Sequence, residues 1–199
     1  MINKQKFDFI KEKHGLHASW AVWANEGDTP TSNMGDLSIF EKDEILLKLN
    51  PNIILVGLNL SVSGVVLNPF QNFHGSGGGA YKIRYGLKDT DLWGAYMTDI
   101  IKDFPELESG NVMSYLSNNP SVVDKNIVSF KEELKDIGAS NPIIIGFGNH
   151  AFRILKRNLG SEFQKMIKLM HYSHFINREN YREEVLSVIR EIRERGWLL

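Results

Sequence analysis

Residues 52–61 read "NIILVGLNLS", an unbroken apolar run that stops at Gly57 and then presents Asn59 and Ser61. A continuous run of strand length suits a strand covered on both faces, the environment of a parallel sheet flanked by helices. Working outward, "GAYMTDII" (94–101), "NPIIIGFG" (141–148) and the start of "KMIKLMHYSH" (165–174) read as three further strands. Helical patterns separate them. "SVVDKNIVSFKEELKDIG" (121–138) places Val123, Ile127, Phe130, Leu134 and Ile137 on one stripe, with Ser121 as its expected cap and Gly138 as its stop. "NHAFRILKRNLG" (149–160) is a helix closed by Gly160, and "NRENYREEVLSVIREIRER" (177–195) is the last helix, with Tyr181, Val185, Val188, Ile189 and Ile192 inward. Strands alternating with helices predict an α/β fold with functional residues at the carboxyl ends of the strands. Three of those ends carry "GLNLS", "GFGNHA" and "HYSH".

The first part of the chain is less regular. Residues 4–13 read as a short helix with Phe7, Phe9 and Ile10 inward, and "ASWAVWANEGDTPTSNMGD" (18–36) reads as a loop that anchors Trp20 and Trp23. "SIFEKDEILLKL" (38–49) has roughly helical spacing and is stopped by Asn50-Pro51. Residues 65–92 are long, Gly-rich and polar, which reads as an ordered functional loop. The 199 residues suit one domain, with residues 1–48 as an N-terminal elaboration.

Composition excludes several chemistries. With no cysteine, the chain has no disulfide, thiolate nucleophile, zinc–thiolate site or cysteine-ligated iron–sulfur cluster. No apolar run approaches the roughly 18 residues of a membrane span, and the first ten residues do not read as a signal peptide, so a cytoplasmic protein is expected. A net charge of −1 supplies no global field toward nucleic acid or membrane. A nucleic-acid role therefore needs a local basic patch.

"GFGNHA" (146–151) has the G-x-G-x-x-A form of a dinucleotide turn. The strand after it ends at His171 rather than at an acid about 20 residues on, so Gly146 and Gly148 read as a tight strand-to-helix turn. His171 and His174, with His74 or His150, are the available metal ligands, but no H-E-x-x-H helix or carboxylate cluster accompanies them, and no metal is expected. "NFHGSGGGAYKIRYGLK" (72–88) interleaves His74, Lys82, Arg84 and Lys88 with Tyr81 and Tyr85, a composition suited to phosphate and base contacts. The arginines of the last helix read as a solvated face paired with its glutamates.

The order of these pieces resembles the uracil-DNA glycosylase superfamily. "GLNLS" resembles the G-x-N-P-G/S form of its first motif, and "HYSH" resembles its closing H-P-S motif. "AYMTDIIKDF" and "NPIIIGFGNHAFRIL" resemble the strands between them. The likeness covers about residues 50–195. It implies a three-layer α/β/α sandwich on a four-stranded parallel sheet and hydrolysis of the N-glycosidic bond of a flipped base, with DNA or a nucleobase or nucleotide as ligand and no cofactor. It also implies that Asn59 orients the attacking water and His171 donates to the base carbonyl, with Gly57, Leu58, Ser61 and Ser173 around the base. His74, Lys82 and Arg84 would reach in from the long loop. Leu60 and Tyr172 stand where the family has prolines. A nucleobase-binding protein that does no hydrolysis is the alternative expectation.

Overall fold

The apolar run lies inside β2 (Asn50–Asn59), whose two edges are both paired and whose two faces are both covered by helices. In the computed structural model, which describes residues 2–61, 67–75, 77 and 79–198, β2 lies between β3 (Ala95–Ile101) and β4 (Ile143–Phe147), parallel to each. β5 (Met166–Leu169) is parallel to β4 and forms one edge. The other edge is β1 (Ala18–Trp20), antiparallel to β3. The sheet is thus five-stranded and mixed, not four-stranded and parallel. Its extra strand comes from the segment that reads as a loop, where three residues are too few to show a period of two.

Alternate residues of β2 enter two separate cores. Ile54, Val56 and Leu58 pack with α1 (Lys4–His14), α3 (Ser109–Asn118), α4 (Pro120–Ile137) and α5 (Gly148–Leu159). Ile53 and Leu55 pack with α2 (Tyr81–Leu87) and α6 (Arg178–Glu194). Helices therefore cover both faces of the sheet. The inward residues expected of α6 are all buried. In α4 the chain differs at its start: Asn119 occupies the cap without a side-chain bond and Pro120 opens the helix, while Gly138 closes it at φ 75°. Phe9 of α1 is 43% exposed, on the face turned away from Phe7 and Ile10. Residues 38–48 form two 3₁₀ turns rather than one helix, because Lys42 is extended at φ −95° and ψ 122°. α3 was not legible, since only Val112 and Leu116 of it are buried.

A buried ion pair ties α4 to β3. Glu133 is fully buried, and Lys102 Nζ, just past β3, lies 2.8 Å from its Oε2. Glu133 Oε1 accepts from Tyr96 Oη at 2.8 Å and from Thr98 Oγ1 at 2.9 Å. Burial pushes this carboxyl up, but the Lys102 charge and the hydrogen bonds more than offset it and hold it below the usual range. Lys102 also donates to Thr98 Oγ1 and to the Asp99 carbonyl. Lys102→Met leaves a buried carboxylate without its cation, and urea unfolding at pH 7 should show a loss of about 3–5 kcal/mol. Without the cation, burial raises the Glu133 pKa, so the loss should shrink as the pH is lowered toward 4 and the carboxyl takes up a proton.

Candidate functional site

From β2 the chain moves outward to β3 on one side, and then to β4 and β5 on the other. The direction reverses between β2 and β4, and in open α/β sheets ligands bind beyond the strand ends at such a point. Four strand ends meet there: Gly57–Asn59, Asp99, Phe147–Gly148, and the turn after β5 that begins at His171.

Asp99 is the group that motif reading missed. It sits 2% exposed in a strand whose every other residue is buried as well. Its Oδ2 accepts a 2.8 Å hydrogen bond from Asn72 Nδ2, which also donates to the His17 carbonyl at 2.8 Å. A Cβ at residue 57 would lie 2.2 Å from Asp99 Oδ1 and 3.4 Å from the Phe73 ring, so only glycine fits beside this carboxyl. Burial raises the Asp99 pKa to about 7, against the pull of the Asn72 hydrogen bond and the Lys102 charge. Burial raises the neighbouring Tyr172 hydroxyl too, and the Asp99 charge adds to the effect. The signal in the sequence was an acid inside "YMTDII", an apolar strand that would not otherwise contain one.

Asn59 and His171 are each anchored at one end. Asn59 Nδ2 donates to the carbonyls of Glu106 (2.8 Å), Phe104 (3.1 Å) and Leu60 (3.3 Å). Three carbonyl partners assign the nitrogen and leave Oδ1 as the acceptor the amide presents. In His171, Nδ1 accepts from the Ser173 backbone N–H at 3.2 Å and lies 2.8 Å from Ser173 Oγ. The proton of the neutral ring is thereby assigned to Nε2. Burial lowers the His171 pKa to about 4, so the ring is neutral at pH 7. It stacks on Tyr172, with centroids 4.3 Å apart and planes at 24°. Its Cβ lies 3.1 Å from where a Cβ of Gly148 would be, and Gly148 has φ 75°; glycine there lets the histidine turn seat against the start of α5. Val56 pairs with Gly146 and Gly146 with Lys168, so β2 and β5 run to the same edge of the sheet with β4 between them.

The remaining expected ligands have other uses. His74 is a core residue: it is fully buried between Trp23 (5.0 Å) and Phe40 (5.4 Å). Among the described residues neither ring nitrogen has a partner at full hydrogen-bond geometry, and burial pushes its pKa down to about 3 against a weaker opposing contact with the Trp20 backbone. Arg84 donates to the carbonyls of Ser32 and Pro30 at 2.8 Å and of Ala24 at 3.3 Å, so its charge fastens the 24–32 segment. Lys82 donates to the His174 carbonyl at 2.9 Å and so ties α2 to the histidine turn. Leu58 packs in the core, and exposed Ser61 donates to the Asn59 carbonyl. Ser173 positions His171. Residues 62–66, Ser76 and Gly78 of the two loops lie outside the described residues. In "GFGNHA", a Cβ at Gly146 would lie 2.9 Å from the Phe152 Cα, so this glycine serves the close packing of β4 on α5.

Two cavities lie to either side of this edge. One, of about 460 Å³, is lined by Asn149, Phe152, Arg153, Lys156, Arg157 and Lys168. The other, of about 260 Å³, lies between α1 and α4 and includes His14, His17 and Lys102. Neither is lined by Asn59, Asp99 or His171. Among the described residues there is no cluster of three metal-ligating side chains, and no helix long and apolar enough to cross a membrane. Comparison with protein-family models, with curated proteins and with solved structures returns no match for this chain.

Because the folded Asp99 pKa lies above its unfolded value, its contribution to stability is present below about pH 4 and is lost as the pH rises through 7. Asp99→Asn should flatten this part of the profile, gaining stability over wild type at pH 8 relative to pH 4. Urea unfolding of both proteins across that range checks it.

Proposed function

We propose that this chain is a uracil-DNA glycosylase-like protein that grips a nucleobase at the carboxyl edge of its sheet and hydrolyses the N-glycosidic bond of a flipped base in DNA. One observation supports the reading: Asn59 at the end of β2 and His171 in the turn after β5 each have one end fixed by hydrogen bonds, which leaves Oδ1 and Nε2–H as the groups they present.

In this scheme Asn59 Oδ1 accepts from a water and aims its oxygen at the sugar carbon. The carbon–nitrogen bond breaks and its electron pair leaves with the base. The His171 Nε2–H donates to the base oxygen on which charge develops, and a neutral donor held beside the start of α5 is already in the required protonation state. Water gives hydroxide to the sugar carbon and its proton to the departing base. An amide orients water but carries no charge to stabilise the sugar cation. Asp99, beside Gly57 on the adjacent strand, supplies the negative charge that Asn59 lacks. The target must first be extruded from the stack.

A second reading is favoured by one contact. Phe73 lies over Gly57, so the strand ends are covered and a ligand must displace the 67–75 segment. A protein that binds a nucleobase or nucleotide without hydrolysis fits that cover.

Base release from single-stranded and mismatched oligodeoxynucleotides separates the two. Under the first reading Asn59→Ala and His171→Ala each slow release by roughly 100-fold; release that both variants leave intact refutes the assigned roles. Nucleobase binding without release over hours selects the second. Under the first reading the wild-type rate should also rise with pH through about 7 as Asp99 ionises, and Asp99→Asn should lose that rise.

A further inference from the structure

We infer that the groove between α5 and the edge strand β5 binds the phosphates of a nucleic-acid single strand and leads it to the histidine turn. The choice of nucleic acid rests on the base-handling reading above; the groove's affinity for a polyanion does not.

The groove has a volume of about 460 Å³. Arg153, Lys156 and Arg157 are spaced to share one exposed face of α5, and Lys168 faces them from β5, the one exposed residue of that strand. Among the described residues none of these four cations forms an ion pair, and Lys168 donates only to Asn149 Oδ1, at 3.0 Å. Some surface cations elsewhere are matched, Lys13 with Asp136, Lys125 with Asp103, Lys131 with Glu162, Arg178 with Glu26 and Arg193 with Asp91, while Lys42, Lys48, Lys88, Lys135 and Arg190 also lack an ion pair among the described residues but do not line this groove. In a chain of net charge −1, four unmatched cations around one concavity are a local field of the sign a polyanion requires.

The shape narrows the partner. From Asn149 to Arg157 the helix advances about 12 Å, room for about three successive phosphates at B-form spacing. Phe152 lines the same groove and offers an aromatic surface between the cations, the pairing that single strands use. The groove lies next to the candidate site in sequence: Asn149 follows Gly148, against which His171 packs, and Lys168 precedes His171 by three residues. A strand lying on α5 and β5 is therefore delivered to the donor proposed to meet its base.

Fluorescence polarisation of a labelled single-stranded oligodeoxynucleotide, titrated at several salt concentrations, tests the groove. The pair Arg153→Glu with Arg157→Glu should weaken binding at least tenfold, and the log–log salt slope should become shallower by at least about 1.4, which is 0.7 for each of two lost phosphate contacts. Arg153→Ala with Arg157→Ala should act in the same direction, and unchanged melting temperatures confirm that both variants fold. Unchanged affinity and slope in both groove variants overturn the proposal, whether or not base release is observed. Polyglutamate competing as well as an oligonucleotide of equal charge overturns it in favour of an acidic peptide. Loss of base release in His171→Ala with normal strand binding, or its absence in wild type, bears on the base site alone.

Discussion

β2 is hydrogen-bonded along both edges and covered on both faces, and the rest of the molecule is arranged around that constraint. A strand so placed has no polar outlet along its length, so its side chains are apolar until the chain leaves the sheet. Polar groups are displaced to the end, where Asn59 meets the carbonyls that follow β3. The same pressure acts on β3, yet Thr98, Asp99 and Lys102 appear near its end. They are tolerated because each is matched: Thr98 and Lys102 by Glu133, and Asp99 by Asn72. The two faces differ in how this is done. On the α4 side the charges are paired and neutralised. On the α2/α6 side a single carboxyl is held by one neutral amide, and its raised pKa is the physical result.

What the sequence showed depended on the length over which a pattern repeats. The helices α4 and α6 are long enough for burial to print a period, and the strands β2 and β4 show as unbroken apolar runs. β1 pairs with β3 through three residues and prints none. Asn72 and Asp99 are 27 positions apart and meet only through the fold, so a motif search had no means of linking them. His74, Lys82 and Arg84 show the opposite difficulty. Composition cannot distinguish a cation that faces a ligand from one that fastens a carbonyl of its own chain, and Arg84 holds three such carbonyls. The basic groove was hidden for a similar reason. Net charge counts every ion, whereas the field at a surface depends on which ions are already paired.

The edge of the sheet therefore combines two demands that oppose each other. A carboxyl with a pKa near 7 requires burial, and here Phe73 and the covering segment provide it. The proposed handling of a base requires access to the same place. The covering residues 67–75 come from the loop that joins β2 to α2 and are held by Phe70 and His74, both fully buried, so opening means drawing those two side chains out of the core. Water entering with an opened loop would lower the Asp99 pKa and leave it ionised. Access and charge are then coupled: the state that admits a ligand is also the state in which the carboxylate is present to act on it.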